Sequence, residues 1–450
     1  MRPCIKKYYP TSYLVTIILL VLACSKSETS TTPVLPIEKD IDFVKTLGGT
    51  KNESAQSIIN TKDNGYAILG YTQSADGDVT NKTDESFNYW LLKFDENHNQ
   101  QWQKNYGGSA DDRGSCVIQT SDGGYAILGS SKSANGDVST NNGFNDFWMI
   151  KTDSTGNIIW ETSFGYSGAD DGTSIIETND NGFLITGVLD VSASGGQGNT
   201  KSSSKRHAGG DYWAIKLNSV GTLQWSKYFG GSFTDTPYDA IQTSDGNYIL
   251  VGSSDSEDVD IKANKGSYDF WVIKISPEGN LIWEKSFGGT QTDEARAITN
   301  TNDGNYLIVG DTRSNDTDIT NNNGAADFWI IKISPEGNLI WEKTFGGSSF
   351  DAARSISKTQ DGGFIICGSS RSSDTDLSTN NGQNDAWVIK IDNSANIEWQ
   401  KSVGGTQVDL AYDAIELNDK SIIIVGESSS SDLDINENKG FSDVLIFKTK

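Results

Sequence analysis

All 12 tryptophans of this 450-residue chain fall on two ladders. The first runs Trp102, Trp160, Trp225, Trp283, Trp341 and Trp399, in steps of 58, 65, 58, 58 and 58 residues. The second, Trp90, Trp148, Trp213, Trp271, Trp329 and Trp387, keeps phase with it. A fixed period of this length marks a repeat architecture, because one unit cannot bury its apolar surface alone and must stack on its neighbours. The stretch Lys285 to Glu342 serves as the prototype.

The prototype divides into four strands. Ala295 to Asn300 and Tyr306 to Asp311 flank Asn302-Asp303-Gly304-Asn305, and Asp-Gly between apolar runs predicts a hairpin with a type I′ turn. A long Asp/Asn-rich loop leads to Asp327 to Ile333. Ser334-Pro335-Glu336-Gly337 then introduces Asn338 to Phe345, the Pro and Gly suiting a type I turn closed by a glycine bulge. Runs such as Phe-Trp-Ile-Ile are apolar on both faces, so each sheet should lie between two others. Abundant Gly (47) and scarce Pro (7) fit many short strands and tight turns.

Seven first strands can be counted, near Ser57, Cys116, Ser174, Asp239, Ala297, Ser355 and Asp413. The seventh unit stops after its third strand, Asp443 to Lys450. Its missing fourth strand stands at the other end of the chain, at Ile41 to Gly49, with Phe43 in the tryptophan position. An open solenoid gives no reason to move one strand to the opposite terminus. A ring closed by its own ends does, since closure removes exposed sheet edges. The expected fold is all-β: one seven-bladed β-propeller over residues 41–450, with four-stranded antiparallel blades.

Residues 41–450 resemble the seven-bladed β-propeller repeat family of bacterial and archaeal surface proteins. They are most similar to lipoprotein variants with units reading T-x-D-G-G-Y, D-F-W-x-x-K and G-N-x-x-W-x-K-x-x-G-G. That resemblance implies the fold and an envelope location, and no shared activity. Asp153-x-x-Gly156-x-x-x-Trp160 gives a looser likeness to pyrroloquinoline-quinone-type propeller repeats.

Residues 1–23 read as a leader: Arg2, Lys6 and Lys7 precede the apolar run Leu14 to Leu22, too short to span a membrane comfortably. Val21-Leu22-Ala23-Cys24 resembles a lipobox, with Cys24 lipidated and anchoring the chain to the outer membrane on either side. Residues 24–40, polar with two prolines, read as a flexible tether. The net charge of −24 deepens when the cationic leader is removed, which argues against nucleic acid as a partner. Cys116 and Cys367 sit at non-equivalent repeat positions and are expected as buried free thiols.

In a four-stranded meander the two tight turns share one face. The long loop shares the other face with the link to the next blade. On the tight-turn face Asp63, Asp122, Asp180, Asp245, Asp303, Asp361 and Asp419 are expected to cap their turns. Lys93, Lys151, Lys216, Lys274, Lys332, Lys390 and Lys448 should lie close enough to pair with them.

The loop face is acidic. Each inter-blade link, Gly-Gly except for Gly165-Tyr166 in repeat three, is followed by Glu53, Asp112, Asp170, Asp235, Asp293, Asp351 or Asp409. Five loops carry Asp-x-Asp, with a further Asp behind. Asp316, Asp318 and Asp327, and Asp374, Asp376 and Asp385, are the oxygen donors Ca²⁺ prefers. Asx turns that hydrogen-bond their own loop are the competing assignment. Repeat three alone has a 7-residue insertion, bearing Lys201, Lys205, Arg206 and His207, the one cationic cluster on this face and a candidate site for a partner or anion.

No motif marks catalytic residues. Two histidines, His98 and His207, occupy different loops, and there is no G-x-S-x-G, phosphate loop or Cys/His cluster. The leading expectation is a monomeric, lipid-anchored, non-catalytic scaffold whose acidic loop face binds an envelope protein or extracellular glycan. The alternatives are a polysaccharide-acting enzyme using carboxylates at the channel, or an outer-membrane assembly lipoprotein.

Overall fold

The computed structural model describes residues 37–198 and 207–450. Seven four-stranded antiparallel sheets follow one another in the chain. Blade five is representative: Asp293–Asn300, Tyr306–Thr312, Asp327–Ile333 and Leu339–Phe345, paired in sequence order. Blade seven takes its fourth strand from the N-terminal side, where Ile41–Leu47 pairs antiparallel with Asp443–Thr449. Phe43 stands opposite Lys448, the register that Trp341 keeps with Lys332. At the end of the stretch expected as a tether, Ile37–Glu38 adds a short parallel strand to blade six, Ile37 opposite Trp399.

Aromatic pairs join the blades. Successive side chains on a strand point to opposite faces, so Phe328 and Trp329 leave the same strand toward different neighbours. Phe328 meets Trp387 of blade six at a centroid distance of 4.4 Å, and Trp329 meets Phe270 of blade four at 4.5 Å. Tyr212 with Trp271, Phe147 with Trp213 and Tyr89 with Trp148 repeat the contact. At the closing junction Trp90 packs in one core with Val444, Phe43 and Leu47.

The first-hairpin turns differ from the type I′ expectation. Only one residue per turn has positive φ: Gly304 at 80°, Gly246 at 82°, and Asn64, Asn181 and Lys420 at 67°, 58° and 68°. In blade five Gly304 N donates to Thr301 O at 3.2 Å and Thr301 N to Asn305 O at 2.9 Å. This is the type I turn with a bulge, the geometry seen at Gly337. The preceding Asp keeps negative φ because its carboxylate is already committed, accepting from Thr301 Oγ1 and from Lys332 Nζ at 2.7 Å.

That Asp–Lys pair forms in all seven blades, at 2.7 to 3.5 Å. Burial would raise these carboxylates, but the Thr hydroxyl and Lys ammonium hold Asp122, Asp180 and Asp361 down at about 2. The tight-turn face is thus fastened by a repeated structural device.

Candidate functional site: the central channel

The innermost strand of every blade carries a bulge at one position. In blade six Ala353 pairs with Gly368 and Ser355 with Cys367, leaving Arg354 unopposed. The same shift falls at Gln56, Ser115, Thr173, Tyr238, Arg296 and Tyr412. A bulge re-aims the extra side chain, and these seven residues line one cavity of about 340 Å³ at the ring axis. The ring lies three residues inside the loop-face end of each first strand, about 10 Å in at strand rise.

The ring is lopsided. Blades one to three contribute Gln56, Ser115 and Thr173; blades four to seven contribute Tyr238, Arg296, Arg354 and Tyr412. The Arg296 guanidinium lies 4.1 Å over the Tyr238 ring and donates to Glu294 Oε2 at 2.7 Å, while its buried Nε has no partner. The Arg354 guanidinium forms no side-chain hydrogen bond or salt bridge with another described residue. Burial, then the charge of Arg296, pushes its pKa down. Arginine stays protonated in proteins, so two guanidinium charges line the cavity and share the single buried carboxylate of Asp311.

One residue deeper, Asp239 and Asp413 face the same cavity but are fully engaged. Asp239 accepts from Ile298 N at 3.0 Å and Ser174 Oγ at 3.0 Å; Asp413 accepts from Ile58 N at 2.9 Å and Ser355 Oγ at 2.6 Å. They tie neighbouring first strands together. Cys116 lines this level and Cys367 is buried; both are free thiols.

Burial pushes Asp239 up to about 6, and also Asp311, beside Arg296, up to about 6. A carboxyl whose folded pKa exceeds its unfolded value near 3.9 binds protons more tightly when folded. Its stabilisation is full below about pH 4 and is lost as pH rises through about 6. His207, raised by the Asp211 contact against the lowering effect of burial, acts with the same sign. The melting midpoint is therefore expected to fall by a few degrees between pH 5 and pH 8. A midpoint that rises across that window contradicts these assignments.

The loop-face carboxylates turn inward. Asp293 and its counterparts after the other links are completely buried. Asp293 accepts from Gly289 N at 2.7 Å and, with its other oxygen, from Thr312 Oγ1. Asp316 accepts from Thr290 N at 2.8 Å and Asp374 from Ser348 N at 2.7 Å. Asp318 and Asp376 bind the first link glycine, from Gly288 N at 3.1 Å and Gly346 N at 3.0 Å.

The expected calcium triples are thereby split between blades. Asp318 reaches back to Asp293 and Asp269, whereas Asp327 faces Asp351 and Asp376 of the next blade. The physical reason is that the long loop folds over the link leading into its own blade, while the third strand abuts the link leading out. Among the described residues no group of His, Cys, Asp or Glu forms a ready-made metal cage. Of the cationic cluster, Lys201, Lys205 and Arg206 lie outside the described residues, as does Cys24. His207 is described, and it packs inward, Nδ1 at 2.5 Å from Asp211 Oδ2 and its ring on Tyr228.

The arginine ring was missed in sequence, although a signal existed. At this single repeat position the residues read Gln, Ser, Thr, Tyr, Arg, Arg, Tyr, whereas the acidic residue three places earlier varies only between Glu and Asp.

No protein-family model matches the chain. Regulatory protein FlaEY of Caulobacter vibrioides is 21% identical over 257 residues, 51% of this chain and 25% of that protein. The chain thus spans about a quarter of that relative's length. Similar solved structures include the Pan2 WD40 domain of Neurospora crassa, with TM-score 0.49, 9% identity, and 92% and 97% of the two chains covered. The β-propeller domain of the Trilobed protease from Pyrococcus furiosus gives 0.41, 9%, and 90% and 97%. Puromycin hydrolase gives 0.48, 8%, and 87% and 53%. At these scores the likenesses carry no argument about function.

Proposed function

We propose that this chain is a lipid-anchored envelope propeller that acts as a non-catalytic binding scaffold, with its binding centre in the channel. The observation that carries this reading is Arg354, a guanidinium lining the cavity with no side-chain hydrogen bond to a described residue, which shares the charge of Asp311 with a second guanidinium that repels it. Two forked donors at one place match an oxyanion, whether carboxylate, sulfate or phosphate. Tyr238 and Tyr412 offer aromatic faces on either side, and the cavity has the volume of a small-molecule site. The ligand fitting this ring is an anionic group on an extracellular glycan or on an envelope protein, entering from the loop face.

Two features support the scaffold reading. The channel carboxylates Asp239 and Asp413 are occupied in holding strands, and the lipobox-like Val21 to Cys24 supplies the anchor. The reading is tested by diffraction from crystals soaked in selenate. An anomalous peak is expected between the Arg296 and Arg354 guanidinium groups. Selenate bound elsewhere with nothing at this place removes the channel from the account.

A further inference from the structure

Of the seven arginines in the sequence, five lie among the described residues: Arg113, Arg296, Arg313, Arg354 and Arg371. Four of these belong to blades five and six, at two repeat positions. Arg296 and Arg354 are the bulged channel residues. Arg313 and Arg371 each follow the last residue of the second strand, Thr312 and Ser370, at its loop-face end. The turn pairs of the same two blades use lysine instead, at Lys332 and Lys390. The planar fork of arginine matches a carboxylate or sulfate through two bonds, so its placement here marks where an anion is met.

The pairing register sets the distance between the two levels. Arg296 follows Ala295, which pairs with Gly310, and Arg313 lies three residues beyond Gly310. Arg354 follows Ala353, which pairs with Gly368, and Arg371 lies three residues beyond Gly368. At strand rise the second pair is about 10 Å nearer the loop face than the first. The buried Asp311 lies between the levels, where the charges of Arg296, Arg354 and Arg313 reach it together with that of Glu294. Three guanidiniums thus meet two carboxylates along this wall of an otherwise acidic molecule.

Blade two shows how the upper position is neutralised elsewhere. Lys132 stands there; its N donates to Asp111 O at 2.9 Å, and its ammonium meets the Asp111 carboxylate at 3.7 Å. Blades five and six keep the backbone contact, Arg313 N to Thr292 O at 2.9 Å and Arg371 N to Phe350 O at 3.0 Å, but the residue in the Asp111 position carries no charge. Both guanidiniums lie by the Phe350 ring, 5.5 and 5.9 Å from its centroid. Arg371 Nε donates to Asn384 Oδ1 at 2.7 Å. Arg313 and Arg371 are exposed, and neither forms a salt bridge with a described residue. A cation–π contact occupies the face of a guanidinium and not its N–H edge.

We infer that Arg313 and Arg371, held on Phe350, form a second anion subsite at the channel mouth, and that the ligand is an acidic oligosaccharide running from this pair down to Arg296 and Arg354. The inference rests on the channel reading above and narrows its ligand to a chain with charges on successive sugar rings. Aromatic faces accompany both levels, Phe350 above and Tyr238 and Tyr412 below. Sugar rings pack their C–H faces on such surfaces, whereas an acidic peptide offers no ring to stack. The step between the levels exceeds the length of one sugar ring, so a monosaccharide fills one subsite and a trimer reaches both.

To test it, the full chain is titrated calorimetrically with galacturonate and with its linear trimer at fixed ionic strength. Wild type is expected to bind the trimer at least about tenfold more tightly than the monomer. In R313Q/R371Q most of that gain is expected to vanish, while monomer affinity stays within about twofold of wild type because the channel pair is distant. R313Q and R371Q singly should each lose part of the gain.

Equal binding of monomer and trimer by wild type, or a gain that survives in R313Q/R371Q, overturns the inference; weakened binding in R354Q then leaves the channel reading standing. Trimer binding that needs Arg313 and Arg371 but not Arg354 keeps the mouth subsite and removes the channel. Trimer binding by none of these proteins overturns both. A triglutamate peptide bound as tightly as the sugar trimer overturns the assignment to a glycan.

Discussion

A chain beginning at Gly48, without Ile41–Leu47, is expected not to form a stable ring. The deleted strand is the fourth of blade seven, and its loss leaves Asp443–Thr449 with an open edge. Phe43 and Leu47 leave the core they share with Trp90 and Val444; Ile41 and Val44 leave the one they share with Leu445 and Phe447. Seven residues of ladder at about 1 kcal/mol per hydrogen bond, with several part-buried apolar side chains, come to about 5–10 kcal/mol. That is comparable with the whole stability of a typical domain. Circular dichroism melts of the two chains compare them directly. Leu47→Ala, a single truncation of a part-buried side chain, is expected to cost about 2 kcal/mol and leave a cooperative transition. A deleted chain melting within a few degrees of the intact one contradicts closure by this strand.

The second large effect concerns the channel. Arg354→Gln and Arg296→Gln are each expected to weaken binding of an anionic ligand about 10- to 100-fold, the range for one charge-assisted hydrogen-bonding partner. The double variant should lose less than the product of the two, because both groups act on one anion. Their effects on folding are expected to differ. Arg296→Gln breaks the 2.7 Å bond to Glu294 and leaves Asp311 with less compensation, so it should destabilise. Arg354→Gln removes a guanidinium that makes no side-chain hydrogen bond to a described residue and is repelled by Arg296, though it also compensates Asp311, so the melting midpoint should change less than in Arg296→Gln. A marked loss of stability in Arg354→Gln would indicate a structural role for this side chain.

Most of the frame was legible in the sequence because it repeats. The tryptophan ladders gave the period. The fourth-strand pattern around Phe43 gave the closure, and alternation of turns and loops placed Asp303 and Lys332 on one face, where they pair. The grouping of the loop carboxylates and the channel ring were not legible for one reason: each depends on which blade a residue meets, and a one-dimensional period does not say. Asp318 and Asp327 are nine residues apart in one loop yet belong to different junctions. The arginine ring gathers single residues from seven strands, visible only when a bulge is known to turn that position inward. The turn type was misjudged for a local reason. Asp303 looked like the first half of an Asp-Gly type I′ pair, but its carboxylate is held by Thr301 and Lys332, which fixes it at negative φ.

The most direct measurement is calorimetric titration with a ligand pair that differs by one carboxylate, such as galacturonate and its methyl ester, on wild type and R354Q. The account predicts that wild type binds the acid at least about tenfold more tightly than the ester, and that R354Q no longer distinguishes them. Equal binding of acid and ester by wild type, or a preference for the acid that survives in R354Q, contradicts it.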